Sequence, residues 1–238
     1  MAMSKVDEIV SLIRTNRIST TEVADALGKQ GVLPKIGPMS PDIHRVGPIR
    51  VLFAANGSNH LVHRGLPSLQ PGEVGVVFTD GCEDHAIFGD LVSKYAILYC
   101  QAEAMVIDGL VRDAARIRRE RYPVWSSGVT PLGCTNVFLG EFPEEKARRL
   151  TEQYSGGVAV CDDGGVVLVA AQNCTDELIE RLHRIELQED CWYFCLDTLK
   201  WSTYDIVCER KYLGSPDILP PVYRSAMKSL SRKFDPMP

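Results

Sequence analysis

Met105-Val106-Ile107-Asp108-Gly109-Leu110-Val111-Arg112-Asp113 is the stretch on which the reading of this chain turns. Its first half is short, apolar and β-branched, the composition of a buried strand. Gly109 is expected to break that run before a helix over Ala114 to Arg121. Such a strand delivers Arg112 and Asp113 to an open edge, and in α/β folds ligands gather just beyond the carboxyl ends of strands. A guanidinium placed there is a planar fork for carboxylate or keto oxygens, and the aspartate beside it is a hard oxygen ligand for a divalent cation. An ordinary salt-bridged turn with Asp113 as a helix cap would use the same two residues.

The neighbouring segments favour a ligand site. Gly75 to Phe78 reads as a second buried strand ending at Thr79-Asp80-Gly81, and Ala86-Ile87-Phe88-Gly89-Asp90-Leu91 opens a segment that reads as helical through Ser93. Free N–H groups at a helix start attract anions, and a glycine among them permits close approach. Near the N-terminus stands Ser-Thr-Thr-Glu-Val-Ala-Asp-Ala-Leu-Gly-Lys-Gln-Gly, Ser19 to Gly31. The order of these pieces resembles the RraA-like family, which holds the regulator of ribonuclease activity A and the divalent-metal-dependent 4-hydroxy-4-methyl-2-oxoglutarate/4-carboxy-4-hydroxy-2-oxoadipate aldolases. The resemblance runs from about Ser19 to Pro131, with a weaker part at Cys161 to Val169.

That resemblance implies an α/β fold, the family's swivelling-type α/β/β/α sandwich, assembled as homotrimers or homohexamers with active sites at subunit boundaries. The expected organisation is a catalytic domain over residues 1–189 and a helical, aromatic-rich extension over 190–238, packed on the body or on a neighbouring subunit. The implied activity is that of a class II aldolase. It is retro-aldol cleavage of a 4-hydroxy-2-oxo acid, decarboxylation of oxaloacetate, or both, through a metal-stabilised pyruvate enolate. Carried over residue by residue, Asp113 is the direct ligand of Mg2+ or Mn2+ and Arg112 binds the oxo-acid oxygens. The amides of Gly89, Asp90 and Leu91 cradle the substrate carboxylate, and Asp90 orients the water that protonates the enolate.

The chain departs from the family at the substrate end of this pocket. Gln101 and Ala104 stand where two glycines usually precede the central strand, and no clear Gly-Gly strand precedes the acidic turn Asp162-Asp163-Gly164-Gly165. A glutamate from a neighbouring subunit assists some members, and Glu177, Glu180 and Glu186 are the candidates here. Two further functions remain open: a metal-dependent dehydratase or isomerase acting on an oxo acid, and a non-catalytic regulator that docks on a ribonuclease.

Composition narrows the field from outside. A net charge of -5 gives no electrostatic reason to expect nucleic acid, and the basic run Arg116 to Arg121 reads as a solvated helix face. Eight cysteines without a Cys-x-x-Cys pair suit reduced, mostly buried thiols. His60 and His63 share a helical spacing but have no third partner at a zinc-like distance in sequence. No charged-then-apolar leader and no apolar run near membrane-spanning length is visible, so the expected setting is cytoplasmic.

Along the chain, Val6 to Ile13 has helical spacing, and Ser19 with Glu22 forms a capping box that starts a second helix. Pro34 to Pro48 reads as a loop before a strand at Ile49 to Ala54, and Pro123 to Trp125 as extended. Phe142-Pro143-Glu144-Glu145 opens a helix through Gln153. Gly157 to Cys161 and Val166 to Ala170 flank the acidic turn as a hairpin. Thr175 to Gln188 is helical, and the tail beyond it concentrates aromatics that need burial.

Overall fold

The structure, a computed structural model, describes residues 3–230. The chain divides into two compact units, Met1–Thr175 and Asp176–Pro238. In the first unit the elements are helices α1 (Lys5–Asn16) and α2 (Thr20–Ala26), strands β1 (Gly37–Pro38) and β2 (Arg45–Ala55), and helix α3 (His60–Gly65). Strands β3 (Val74–Asp80) and β4 (Ala86–Phe88) follow, then α4 (Asp90–Lys94), β5 (Ala104–Val111), α5 (Ala114–Arg119) and β6 (Val124–Val129). Helix α6 (Glu144–Tyr154) and the hairpin β7 (Val158–Asp162) and β8 (Gly165–Val169) complete it.

An eight-stranded sheet runs β1-β6-β5-β3-β2-β7-β8, with β4 pairing β5 off this path. The long β2 is shared between two parts of it. Arg45–Pro48 pair antiparallel with β7, and Ile49–Ala55 pair parallel with β3. Side chains of the central strands alternate between two cores, as a strand buried on both faces requires. Met105 and Ile107 join Val77, Phe88, Val92, Ile117 and Val124 on the face that carries α4 and α5. Ala104 and Val106 join Val76, Trp125, Cys161 and Leu168 against the hairpin, where α6 contributes Leu150. Helices α1 and α2 pack on the hairpin layer, giving the expected α/β/β/α sandwich. The fully buried Trp125 ties the layers together by donating its indole N–H to the Asp162 carbonyl at 2.8 Å.

Local signals explain most element starts. Ser19 Oγ accepts from the Glu22 amide at 3.2 Å and Glu22 Oε2 accepts from the Ser19 amide at 2.7 Å, the reciprocal capping box expected from the spacing. Three expectations need correction. Gly109 does not end the central strand, because β5 continues to Val111 through an irregularity between Ile107 and Leu110. Ala86 to Phe88 is a short strand and not the start of a helix, since pairing with β5 overrides its local pattern. The segment read as a loop up to Pro48 already contains the first residues of β2, where Pro48 sits at the end of the ladder to β7.

The second unit begins with α7 (Asp176–Asp197) and includes α8 (Lys211–Gly214) and α9 (Pro221–Leu230). The boundary at 189/190 expected from the sequence falls within α7. Cys191, Cys195, Ile206, Tyr212 and Leu219 form a core of their own, with Trp192, Phe194, Trp201 and Tyr223 packed against it. Trp192 donates its indole N–H to the Tyr212 hydroxyl at 3.2 Å. Burial pushes the Cys191 thiol up to about 12, which keeps it protonated and suits a packing role. All eight cysteines are free thiols, as their spacing suggested.

Candidate active site

The site exists because β5 exchanges one neighbour for another along a single edge. Ala104–Ile107 pair with β3, whereas Leu110 and Val111 pair with Ala86 and Phe88 of β4, and β6 occupies the opposite edge throughout. Asp108 and Gly109 make the transition. The Asp108 carbonyl accepts from Thr79 Oγ1 at 2.5 Å, and a Cβ on Gly109 would stand 3.0 Å from Thr79 Cγ2, so the close approach suits glycine. Pairing with β4 then sets Gly89-Asp90 beside Arg112-Asp113, which are over twenty positions apart in sequence. The Arg112 amide donates to the Phe88 carbonyl at 2.9 Å, and Ser93 donates to the Gly89 carbonyl through both its amide and its hydroxyl, at 2.9 and 2.8 Å.

Asp113 precedes α5 in a left-handed conformation, φ 59°, which aspartate tolerates better than most residues. Its side chain makes no capping bond to that helix. Instead Oδ2 turns toward the start of α4, 3.5 Å from the Asp90 amide and 3.6 Å from Arg112 Nε. This distinguishes it from an ordinary capped turn. Gly89 is the N-terminal flank of α4, and a Cβ there would meet Asp113 Oδ2 at 2.7 Å and Arg112 Cγ at 3.2 Å. Leu91 follows and is 74% exposed.

Arg112 crosses Gly89 and ends against a second glycine. A Cβ on Gly133 would lie 2.4 Å from Arg112 Nη1, so the guanidinium rests on bare backbone. The segment carrying Gly133 is fixed on both sides. The Ala86 amide donates to the Leu132 carbonyl at 2.8 Å, the Cys134 amide returns a bond to the Ala86 carbonyl at 3.2 Å, and the Thr130 amide donates to the Val111 carbonyl at 3.0 Å. In the sequence Gly133 follows Thr130-Pro131 and carries no more than a turn signal. Its role depends on a bridge between distant segments, which spacing does not reveal.

An open cavity of about 370 Å³ lies over this junction, lined by Asp90, Asp113, Ala114, Ala115 and Arg116. The basic run is exposed, as read from the sequence, and Arg116 in addition pairs its Nη1 with Asp90 Oδ2 at 3.1 Å. Other members of that run also have partners, since Arg118 donates to the Met39 carbonyl at 3.2 Å and Arg121 to the Pro41 carbonyl at 3.1 Å. His60 instead approaches the Asn136 carbonyl at 3.3 Å. Among the described residues, no three His, Cys, Asp or Glu side chains converge into a metal cage. The cavity offers hard carboxylate oxygens from Asp113, with Asp90 beside it. Such a donor set fits Mg2+ or Mn2+, hard ions that take carboxylate oxygens and, for magnesium above all, keep much of their water.

The comparisons with known proteins bear on this arrangement. A family model described as RraA-like, Aldolase/RraA, matches residues 20–168. Protein DlpA of Legionella pneumophila is 26% identical over 212 residues, covering 85% of this chain and 34% of that protein, so the chain spans about a third of the length of this curated relative. An uncharacterized protein from Pseudomonas syringae pv. tomato superposes with TM-score 0.62 at 23% identity, over 83% of this chain and 94% of that one. Streptomyces coelicolor RraAS2, described as an unusual member of the RNase ES inhibitor RraA protein family, gives TM-score 0.59 at 22% identity, over 76% and 95%. At these identities the two structures establish likeness of fold.

Proposed function

The chain belongs to the RraA-like family, Aldolase/RraA, and from that premise we propose that it is a divalent-metal-dependent carbon–carbon lyase acting on small 2-oxo acids. The observation that carries this reading is the junction of β4 and β5, where Asp113 lies beside both Arg112 and the Asp90 amide at the start of α4 and, with Asp90 and Arg116, lines one cavity. In this reading Asp113 holds Mg2+ or Mn2+, while Arg112 and the amides of Gly89, Asp90 and Leu91 receive the substrate. The bound cation supplies Lewis-acid polarisation of the keto group.

The protein's own groups account for the rest. Breaking C3–C4 of a 4-hydroxy-2-oxo acid sends that bond's electron pair toward the keto oxygen, and the C4 hydroxyl passes its proton to solvent water as the second carbonyl forms. In this reading Arg112 meets that oxygen as it gathers charge and acts as a preorganised donor to it. Loss of carbon dioxide from oxaloacetate leaves the same charge in the same place. Asp90 then orients the water that delivers a proton to C3. Asp113 Oδ2 occupies the approach to the Asp90 amide. An arriving substrate carboxylate therefore requires Asp113 to turn away, which a cation on its carboxylate would favour.

Purified protein with Mg2+ or Mn2+ is expected to release pyruvate from oxaloacetate or from a 4-hydroxy-2-oxo diacid, followed by coupled lactate dehydrogenase. EDTA and Asp113→Ala are each expected to reduce the rate to near background. Undiminished activity in EDTA, or in Asp113→Ala, would remove the metal-dependent reading.

We also infer assembly as a homotrimer or homohexamer through an exposed apolar face beside the site. Leu91, Tyr95, Leu98 and Tyr99 follow helical spacing, and all are well exposed. Multi-angle light scattering of Leu98→Asp is expected to show a smaller particle than wild type. A wild-type monomer at micromolar concentration would contradict the inference.

A further inference from the structure

Resting on the lyase reading, we infer that Arg116 selects dicarboxylic 2-oxo acids by taking the substrate's distal carboxylate, and that in doing so it releases Asp90. Arg116 Nη1 lies 3.1 Å from Asp90 Oδ2, with the arginine side chain 62% exposed and the aspartate only 21% exposed. Arg116 therefore reaches over Asp90 from the solvent side of the cavity both residues line. An entering anion meets Arg116 first.

Formal charge gives the same answer. Arg112 and Arg116 balance Asp90 and Asp113, so the four side chains sum to zero. A divalent cation on Asp113 leaves two positive charges in an open cleft, and a dianion neutralises both where a monoanion neutralises one. The placement of the two arginines divides the work. Arg112, held between Gly89 and Gly133, faces the oxygens at the β5 end, whereas Arg116 stands one helical turn beyond Asp113 on α5. A guanidinium exchanging one carboxylate for another keeps its charge-assisted hydrogen bonds, so the transfer costs little. Once Arg116 has turned to the substrate, the Asp90 carboxylate is free to accept from water. A diacid would thus prepare its own proton donor, and a monoacid would leave Asp90 paired.

The test compares two competitive inhibitors of pyruvate release, 2-oxoglutarate as dianion and 2-oxobutyrate as monoanion, in wild type, Arg116→Gln and Arg116→Lys with Mg2+. Arg116→Gln is expected to raise the ratio of the dianion Ki to the monoanion Ki about tenfold, the scale of one charge-assisted hydrogen bond. Arg116→Lys should recover much of the discrimination, because it retains the charge. A ratio that stays at its wild-type value in Arg116→Gln overturns the assignment of Arg116 while leaving the lyase reading intact. A wild-type protein that releases no pyruvate and binds neither inhibitor removes both.

Discussion

Arg112→Met is expected to lower kcat/KM for pyruvate release by roughly 10²–10³, the usual consequence of removing one preorganised donor from a developing oxyanion. The methionine keeps the aliphatic stem that packs across Gly89 and removes the guanidinium that lies on Gly133. Most of the loss should therefore appear in kcat, because the donor matters most when charge has moved to the keto oxygen. Arg112→Lys should recover only a small part. A lysine ammonium is a point charge without the fork, and the contact with Gly133 is made by the far end of a planar group. Steady-state kinetics with oxaloacetate measures both variants, and wild-type kcat in Arg112→Met would show that the reaction does not place charge there.

Much of this site is legible in the sequence, and the reason is local. Arg112 and Asp113 follow a run of buried β-branched residues, so hydrophobic patterning alone places that pair at a strand end. The capping box at Ser19 and the hairpin around Asp162 are equally local and form as read. The strand at Ala86–Phe88 escaped that reading because three residues carry too little periodicity to outweigh the helical residues after them. Its identity comes from β5, which changes partners at Gly109. Arg116 was obscured for a different reason. A basic residue on a short exposed helix looks solvated until the fold brings Asp90 within 3.1 Å of it. Asp113 shows the limit of capping rules, since a residue in the cap position spends its carboxylate on another helix.

Gly133→Ala separates stability from function at a residue that touches neither helix of the site. A methyl group there would stand 2.4 Å from Arg112 Nη1, but the atom it meets is the tip of a flexible, half-exposed side chain. The guanidinium can swing toward solvent, so the fold loses little, on the order of the ±0.5 kcal/mol typical of surface changes. Activity should suffer far more, by roughly tenfold to a hundredfold, because a donor misplaced by about an ångström no longer meets the forming charge. Calorimetry should accordingly show a nearly unchanged Tm while kcat falls. A double-mutant cycle decides whether Arg112 carries the effect: in the Arg112→Met background, Gly133→Ala should add almost nothing. Independent, multiplying losses would mean that Gly133 acts through the backbone of its loop, which is pinned to Ala86 and thus to β4, and not through the guanidinium resting on it.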